Sequence, residues 1–180
     1  MQLNGIFIVA DLDSQVAAKI SEINRQFDPK LAAARQPHVT ITGSSGAGPI
    51  PPSITVEELE KKLRPIATPT APMKLRFGKP QRFLQSEIVV LPLDPHGDLR
   101  HLHDRIVSSG IPFTRARFTF TPHCTLSLYP TLTPEAARHL LSVRIEEEVT
   151  INRIDVYHTN DPQPARKLLE LPLTGEAAGS

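Results

Sequence analysis

Two stretches of this chain share one pattern, Pro-His-x-Thr-aliphatic, at residues 37–41 and 122–126. In an extended strand, successive side chains point to opposite faces. Each histidine therefore shares a face with the threonine two positions later, roughly 6.5 Å away along the strand. The apolar residues between them point to the other face, where a core can hold the strand. Four residues are thus predicted to line one polar face: His38, Thr40, His123 and Thr125.

A similar series of predicted elements precedes each stretch. A strand-like run that ends in an acidic turn comes first, at residues 6–13 and again at 87–94, and a helically spaced segment follows each run. The two acidic turns lie 38 − 13 = 25 and 123 − 94 = 29 positions before the histidines. The chain is therefore predicted to contain two similar strand-helix-strand units.

This repeat predicts an α+β fold. We expect one domain over residues 1–180, made of two pseudo-symmetric lobes at residues 4–78 and 86–158, with a closing strand at 167–173. An approximate twofold axis would bring the two histidine strands face to face at a central cleft. Residues 43–49, which are mostly Gly and Ser, have the composition of a mobile linker beside the first motif.

The charge balance and the single cysteine exclude several classes of protein. With a net charge of +1, bulk electrostatic attraction cannot be the basis of nucleic-acid binding, so any RNA contact must be local. Cys124 alone can form neither an intramolecular disulfide nor a multi-thiolate metal site. The apolar run 6–10 is too short for a signal-peptide core or a membrane span. We expect a cytoplasmic monomer that does not contact a membrane.

Two imidazoles at one cleft can divide acid and base work, because one histidine can be neutral while the other is protonated near neutral pH. Cleavage of a phosphodiester requires this division. One histidine deprotonates the attacking water, and the other protonates the departing oxygen. The two threonine hydroxyls could donate hydrogen bonds to phosphate oxygens and stabilise the charge that develops there. This chemistry requires neither a metal nor another cofactor.

The paired motifs, Pro-His-Val-Thr-Ile and Pro-His-Cys-Thr-Leu, resemble the signatures of the two-histidine (2H) phosphoesterase superfamily, in particular its bacterial RNA 2′,5′-ligase-like and cyclic phosphodiesterase branch. The resemblance covers nearly the whole chain. It implies two lobes, each an antiparallel sheet with helices on its outer face. It also implies metal- and ATP-independent chemistry on RNA or nucleotides with a 2′,3′-cyclic phosphate or a 2′,5′ linkage. In that chemistry the histidines are acid and base, and the threonines hold the phosphate.

The chain departs from this family pattern after the second motif. Many ligase-like members carry a basic residue there, whereas this chain has Ser-Leu-Tyr-Pro at residues 127–130. The difference favours hydrolysis of a phosphate ester over the joining of RNA ends. The candidates for the missing positive charge are Arg115 and Arg117, which alternate onto one face of a predicted strand before His123, and Arg82.

Several aromatic residues could stack a nucleobase, although core packing is the ordinary role of each. They are Phe7, Phe83, Tyr129 and Tyr157. Tyr129 closely follows the second motif and is the aromatic residue that we include among the predicted substrate contacts.

Three hypotheses stand at this stage. The first is an enzyme that cleaves cyclic phosphates and also carries out reversible 2′,5′ ligation. The second is a module that binds RNA ends or a cyclic nucleotide without turnover. The third, a zinc protein that uses both histidines, lacks an obvious third ligand of suitable spacing. The pairing of both histidine and threonine favours the enzyme, and the two motifs are too alike to assign the acid and the base.

Overall fold

The computed structural model describes residues 3–83, 86–128 and 132–177. The elements found in these residues are, in chain order, β1 (Asn4–Asp11), α1 (Ser14–Phe27), α2 (Pro29–Ala34), β2 (His38–Thr42), α3 (Val56–Ala67), β3 (Met73–Leu75), β4 (Gln81–Arg82), β5 (Val89–Pro92), α4 (Asp98–Val107), β6 (His123–Ser127), α5 (Pro134–Ser142), β7 (Val149–Ile151), β8 (Arg153–Asn160) and β9 (Arg166–Pro172). Among these helices, none is long and apolar enough to cross a membrane.

A seven-stranded sheet in the order β4-β5-β6-β2-β1-β8-β9 forms the centre of the fold, and β3 pairs with β7 separately. Every pair of neighbouring strands is antiparallel. The predicted α+β fold is therefore confirmed. The two histidine strands, β2 and β6, are direct neighbours in one continuous sheet and are joined at the pair Val39–Cys124.

The two halves of the sheet present their histidines through matching strand registers. In β1–β2, Asp11 pairs with His38. In β5–β6, Pro92 pairs with His123. The register shifts once in each pair, between Ile8 and Val9 in β1 and between Val89 and Val90 in β5. Each histidine is thus the first residue of a strand that pairs with an equivalent partner strand in the same way.

The core lies on the sheet face opposite to the histidine side chains. The apolar partners of the two motifs are at most 1% exposed: Val39, Ile41, Cys124 and Leu126. Helix α1 packs against β6, and α4 packs against β2. Each histidine strand is therefore covered by the helix from the other half of the chain. Full burial of an aliphatic side chain contributes about 1.5–3 kcal/mol, so this face holds both strands firmly in the sheet.

Two prolines lie inside helices of the structure. The Asp28-Pro29 pair predicts the end of the first helix, and α1 does end at Phe27. Pro29 also occupies the first turn of α2, where its missing N–H is not needed. Asp28 caps this second helix by accepting a hydrogen bond from the Leu31 N–H at 3.0 Å. The sequence predicts that Pro65 or Pro69 lies beyond α3; Pro69 does, whereas Pro65 lies in the last turn of that helix. The reason is that the apolar face of α3 continues past it and buries Ala67.

Residues 43–49 were expected to be a mobile linker, and this expectation is wrong. Gly46 N–H donates to the Phe118 carbonyl at 2.8 Å, and Gly48 N–H donates to the Thr114 carbonyl at 2.8 Å. Gly46 has a φ of 74°, and a β-carbon at this position would collide with the His103 ring. The glycine content therefore reflects a left-handed turn and a close approach rather than mobility.

The segment 111–122 contains no strand, although one face of a strand was predicted to carry Arg115 and Arg117. Its backbone groups bond to the turn at 43–49 instead of to a neighbouring strand, as the contacts of Thr114 and Phe118 show. Pro112 and Pro122 also lack the N–H that a strand ladder requires. The alternation of the two arginines was thus a misleading signal.

Candidate active site

The four motif side chains share one face of β2 and β6. Extending the antiparallel register of Val39 and Cys124 by one residue places His38 opposite Thr125 and Thr40 opposite His123. The histidines are then diagonal neighbours, with α-carbons about 7–8 Å apart. This separation leaves room for one phosphate group between two imidazoles.

Each histidine ring is fixed by the same hydrogen bond. His38 Nδ1–H donates to the Gln36 carbonyl at 2.9 Å, and His123 Nδ1–H donates to the Thr121 carbonyl at 2.8 Å. A carbonyl oxygen only accepts, so Nδ1 carries the proton in the neutral ring and Nε2 is the basic nitrogen. Both rings therefore keep Nε2 for proton exchange with another group.

The pKa values of the two histidines are both lowered, but for partly different reasons. Burial, together with the nearby charge of Arg35, lowers the pKa of His38 to about 4, against the opposing effects of the Gln36 carbonyl and Asp11. Burial also lowers the pKa of His123, opposed by its hydrogen bond to Thr121. In the free protein His38 is thus the ring held more strongly in the neutral, proton-accepting form.

This shift predicts a loss of stability in acid. The unfolded chain binds a proton at residue 38 near pH 6.5, whereas the folded protein binds it near pH 4, so protons favour unfolding between these values. The free energy of unfolding should fall by about 3 kcal/mol across this window, at about 1.36 kcal/mol per pKa unit. Urea unfolding at a series of pH values, compared between the unmodified protein and His38→Gln, measures this effect. The exposed His101→Gln is the matched control, and parallel curves for the protein and His38→Gln would contradict the prediction.

A cluster of charged residues and one tyrosine lies beside His38, on β1, β8 and β9. The Tyr157 hydroxyl donates to Asp11 Oδ2 at 2.5 Å, and the Asp11 N–H donates to Asp155 Oδ2 at 3.0 Å. Lys167 Nζ lies 3.3 Å from Asp155 Oδ1. Burial, aided by the hydrogen bond to Asp11, raises the pKa of Tyr157 to about 12. The phenol therefore stays protonated and donates to the carboxylate.

Arg35 is the residue near the histidines that the sequence analysis missed. Its guanidinium carbon lies 4.9 Å from the centre of the Tyr157 ring. Its charge is close enough to His38 to lower the pKa of that imidazole. The only sequence signal was a cation three positions before the first histidine, in Arg-Gln-Pro-His at 35–38. Tyr157 lies 119 or more positions from both residues (157 − 38 = 119), so local pattern could not reveal the group.

Phe83 is the aromatic residue that the structure places against His123. The two rings meet edge to face, with centroids 5.2 Å apart and an interplanar angle of 89°. Tyr157 is linked to the other histidine, His38, only indirectly. Its ring contacts Arg35 and its hydroxyl donates to Asp11, and both of these charges act on the His38 imidazole. Tyr129, the predicted aromatic contact, lies outside the described residues.

The three predicted arginines are exposed, and no contact with either histidine is found for them among the described residues. Arg115 and Arg117 are exposed, and the Arg117 guanidinium lies 5.4 Å from the centre of the Phe118 ring. Arg82 is also exposed and donates through Nε to the Ser86 carbonyl at 3.0 Å. Burial and the Thr121 carbonyl account for the pKa shift of His123, and neither Arg115 nor Arg117 contributes to it.

Cys124 is a core residue, as the strand alternation predicted. It is 1% exposed, and burial raises the pKa of its thiol to about 12. A thiol in this state is a poor nucleophile. Among the described residues, no group of three or more His, Cys, Asp or Glu side chains is arranged to hold a metal ion.

Most of the sequence matches a known family. The sequence model of the 2′-5′ RNA ligase superfamily matches residues 12–163, which include both histidine strands. The chain belongs to the 2′-5′ RNA ligase superfamily. The resemblance to the two-histidine phosphoesterases that the paired motifs indicated is thereby confirmed.

Individual known proteins are similar to the chain in sequence or in fold. The Geobacillus kaustophilus (strain HTA426) protein named "Putative phosphoesterase GK0864" is 32% identical over 89 residues, in a match that covers 43% of this chain and about half, 51%, of that protein. The crystal structure of TT0787 of Thermus thermophilus has a TM-score of 0.67 at 18% identity and covers 98% of this chain and 100% of that chain. Escherichia coli LigT complexed with phosphate has a TM-score of 0.62 at 16% identity, covering 97% and 99%. The solved structures share the fold across nearly the whole chain.

Proposed function

We propose that this protein is a metal-independent phosphodiesterase that opens 2′,3′-cyclic phosphates on nucleotides or RNA ends. One observation carries the proposal: two imidazoles project from neighbouring strands on one face, each fixed through Nδ1 and each opposite a threonine. Membership of a superfamily of phosphoesterases and ligases supports this type of chemistry.

In the proposed reaction His38 is the base and His123 is the acid. Nε2 of neutral His38 removes a proton from water as the water oxygen bonds to phosphorus. The bond from phosphorus to one ribose oxygen breaks, and protonated His123 donates its Nε2 proton to that oxygen. The product is a phosphate monoester beside a free ribose hydroxyl. The lower pKa of His38 supports this assignment, because the base must be neutral before the reaction.

The threonine hydroxyls complete the proposed site. Thr40 lies opposite His123 and Thr125 opposite His38, so each hydroxyl is beside one imidazole on the same face. A hydroxyl there can donate a hydrogen bond to a non-bridging phosphate oxygen, whose negative charge increases in the transition state. Both side chains are half-buried, which leaves them accessible to a ligand from the cleft side.

The substrate class, ligation and cellular setting belong to the same proposal. The Escherichia coli LigT structures hold phosphate and 3′-AMP, which supports a nucleotide or RNA ligand here. With a ribose 5′-hydroxyl in place of water as the nucleophile, the new bond to phosphorus would form as the bond from phosphorus to the 3′-oxygen breaks. The products would be a 2′,5′ linkage and a free 3′-hydroxyl. The setting that we propose is the reducing cytoplasm, where a free cysteine such as Cys124 persists, and the proposed working form is a monomer. The matching registers support two repeat units, residues 4–78 and 86–158, closed by the strand at 167–173.

The test is turnover of 2′,3′-cyclic nucleotides in excess chelator and without ATP. We expect a single nucleoside monophosphate product, identified by chromatography against 2′- and 3′-monophosphate standards. A 2′,5′-linked dinucleotide incubated in parallel tests cleavage of that linkage, the reverse of ligation. Saturable binding without product would instead indicate a binding module. Turnover that is lost in chelator and restored by zinc would indicate the zinc hypothesis.

A further inference from the structure

The Arg35 side chain contains a buried donor that lacks a partner. In the part of the chain that the structure describes, Nη2 is buried and makes no hydrogen bond. Burial lowers the pKa of Arg35, but a guanidinium remains charged in proteins. Leaving a buried N–H of a charged group unpaired costs about 1–3 kcal/mol or more, so such an atom indicates that an acceptor belongs beside it.

The two neighbouring carboxylates each bind other residues, but neither forms an ion pair with Arg35 among the described residues. Asp11 accepts the Tyr157 hydroxyl through Oδ2, which lies 3.6 Å from Lys167 Nζ, while its buried Oδ1 has no hydrogen-bond partner there. Asp155 pairs with Lys167 and Arg153. The Asp11 charge acts on Arg35 at a distance, but no ion pair joins the two within the described residues. Arg35 is thus held in place without its charge being used.

The Tyr157 ring holds the Arg35 guanidinium. The centre of the ring lies 4.9 Å from the guanidinium carbon, and the Tyr157 hydroxyl donates a hydrogen bond to Asp11. Asp11 in turn pairs with His38 in the sheet. A cation therefore lies beside the first histidine strand, against a ring of β8 whose hydroxyl is bonded to β1. Arg82 and Arg117, by contrast, are exposed, with Arg82 bonded to a local carbonyl.

We infer that Arg35 binds a non-bridging oxygen of the phosphate held between His38 and His123. This inference rests on the proposed function and names the cation of its phosphate site. Arg35 then takes the role that the sequence analysis assigned to Arg115, Arg117 or Arg82. A guanidinium N–H matches a phosphate oxygen in charge and geometry. The same charge keeps His38 neutral before the reaction, and it attracts the extra negative charge that the phosphate gains when water attacks.

The first test uses inorganic phosphate as the probe and therefore does not depend on turnover. Phosphate is titrated into the protein while the ring C–H signals of His38 and His123 are followed by NMR. Arg35→Gln should weaken phosphate binding about 10- to 100-fold, as expected for the loss of a charged hydrogen bond, and Arg35→Lys should recover part of that loss. Arg117→Gln removes the same charge from an exposed position and should leave the affinity within about twofold, as a screened surface charge does.

A pH titration of the same signals separates an electrostatic role from a structural one. The charged or titratable groups that act on His38 are Arg35, Asp11 from β1 and His123 from β6. Removing Arg35 should raise the pKa of His38, because one of its two largest lowering effects is lost. Arg35→Lys should keep that pKa low.

Each outcome decides the inference. Phosphate affinity in Arg35→Gln equal to that of Arg117→Gln overturns it. If Arg35→Gln does not fold, the unmodified protein still provides a test, since its Arg35 Nε–H signal must shift as phosphate saturates the site. An unmoved signal overturns the inference. Turnover that persists unchanged in Arg35→Gln would contradict the role of Arg35 and leave the proposed function standing. Phosphate binding through Arg35 without any turnover would contradict only the proposed function.

Discussion

Replacing either His38 or His123 with alanine is expected to lower kcat for a 2′,3′-cyclic nucleotide by about 10²- to 10⁴-fold, the usual contribution of a general acid or base. The KM should change much less, because the threonines and the phosphate-binding cation remain. The double variant should lose little more than the weaker single variant, since the two histidines act in the same step. Steady-state kinetics in excess chelator measure all three values.

A substrate with a better leaving group separates the two histidine roles. A nitrophenyl phosphodiester releases nitrophenolate, which needs little protonation as it departs. With this substrate His123→Ala should keep much of its activity, while His38→Ala stays impaired because water must still be deprotonated. The reverse pattern would exchange the two roles.

The exposed His101 provides the control for both histidine variants. His101→Ala lies on α4, away from the histidine face, and should retain kcat. Thermal unfolding of each variant must show a folded protein before its rate is interpreted. Turnover within about threefold of the unmodified protein in His38→Ala or His123→Ala, well below the expected acid–base contribution, would show that this imidazole is not part of the reaction.

The sequence located the two histidine strands because their signal is local. A period of two places a histidine and a threonine on one face, and that geometry does not depend on the rest of the fold. The matching series of elements before each motif then predicted that both strands occupy equivalent places. What this pattern could not show is that β2 and β6 are hydrogen-bonded neighbours, because pairing between distant strands is decided by how both halves pack.

The surroundings of His38 could not be predicted for the same reason. Arg35 is near in sequence, but the ring that holds it belongs to Tyr157, and the carboxylate that holds Tyr157 is Asp11, 146 positions away from it. No local spacing encodes such a group. The local pattern favoured a cation beside the second motif, where Arg115 and Arg117 alternate. The backbone there is irregular, so these two residues do not share the face of a strand.

The turn at 43–49 illustrates a second limit of composition. Gly and Ser suggested a mobile linker, but Ser45 Oγ accepts a hydrogen bond from the Thr121 N–H at 3.0 Å. Thr121 is also the residue whose carbonyl fixes the His123 ring. The turn that follows the first motif therefore helps to position the second one. Composition shows which backbone shapes a segment can adopt, and the contacts around it determine whether that shape is fixed.

Replacing Thr40 or Thr125 with valine is expected to lower kcat by about 100-fold or more, as for the loss of one donor to a developing oxyanion. Valine keeps the shape and the β-branch, so β2 and β6 should form as before. The hydroxyl alone is removed. Thr→Ser at the same positions keeps the donor and should restore most of the activity. Single-turnover and steady-state rates, measured with the same cyclic nucleotide, provide the comparison.

Thr42 offers a matched control on the same strand and the same face. It is 0% exposed, and its Oγ1 has no hydrogen-bond partner among the described residues. Thr42→Val removes an unpaired buried hydroxyl, so it should leave kcat unchanged and should not destabilise the protein. If Thr40→Val behaves like Thr42→Val, Thr40 is only a strand residue and its hydroxyl does not donate to the phosphate. A fall in kcat with little change in KM instead means that the hydroxyl binds the phosphate more strongly in the transition state than in the substrate, as donors to a developing charge must.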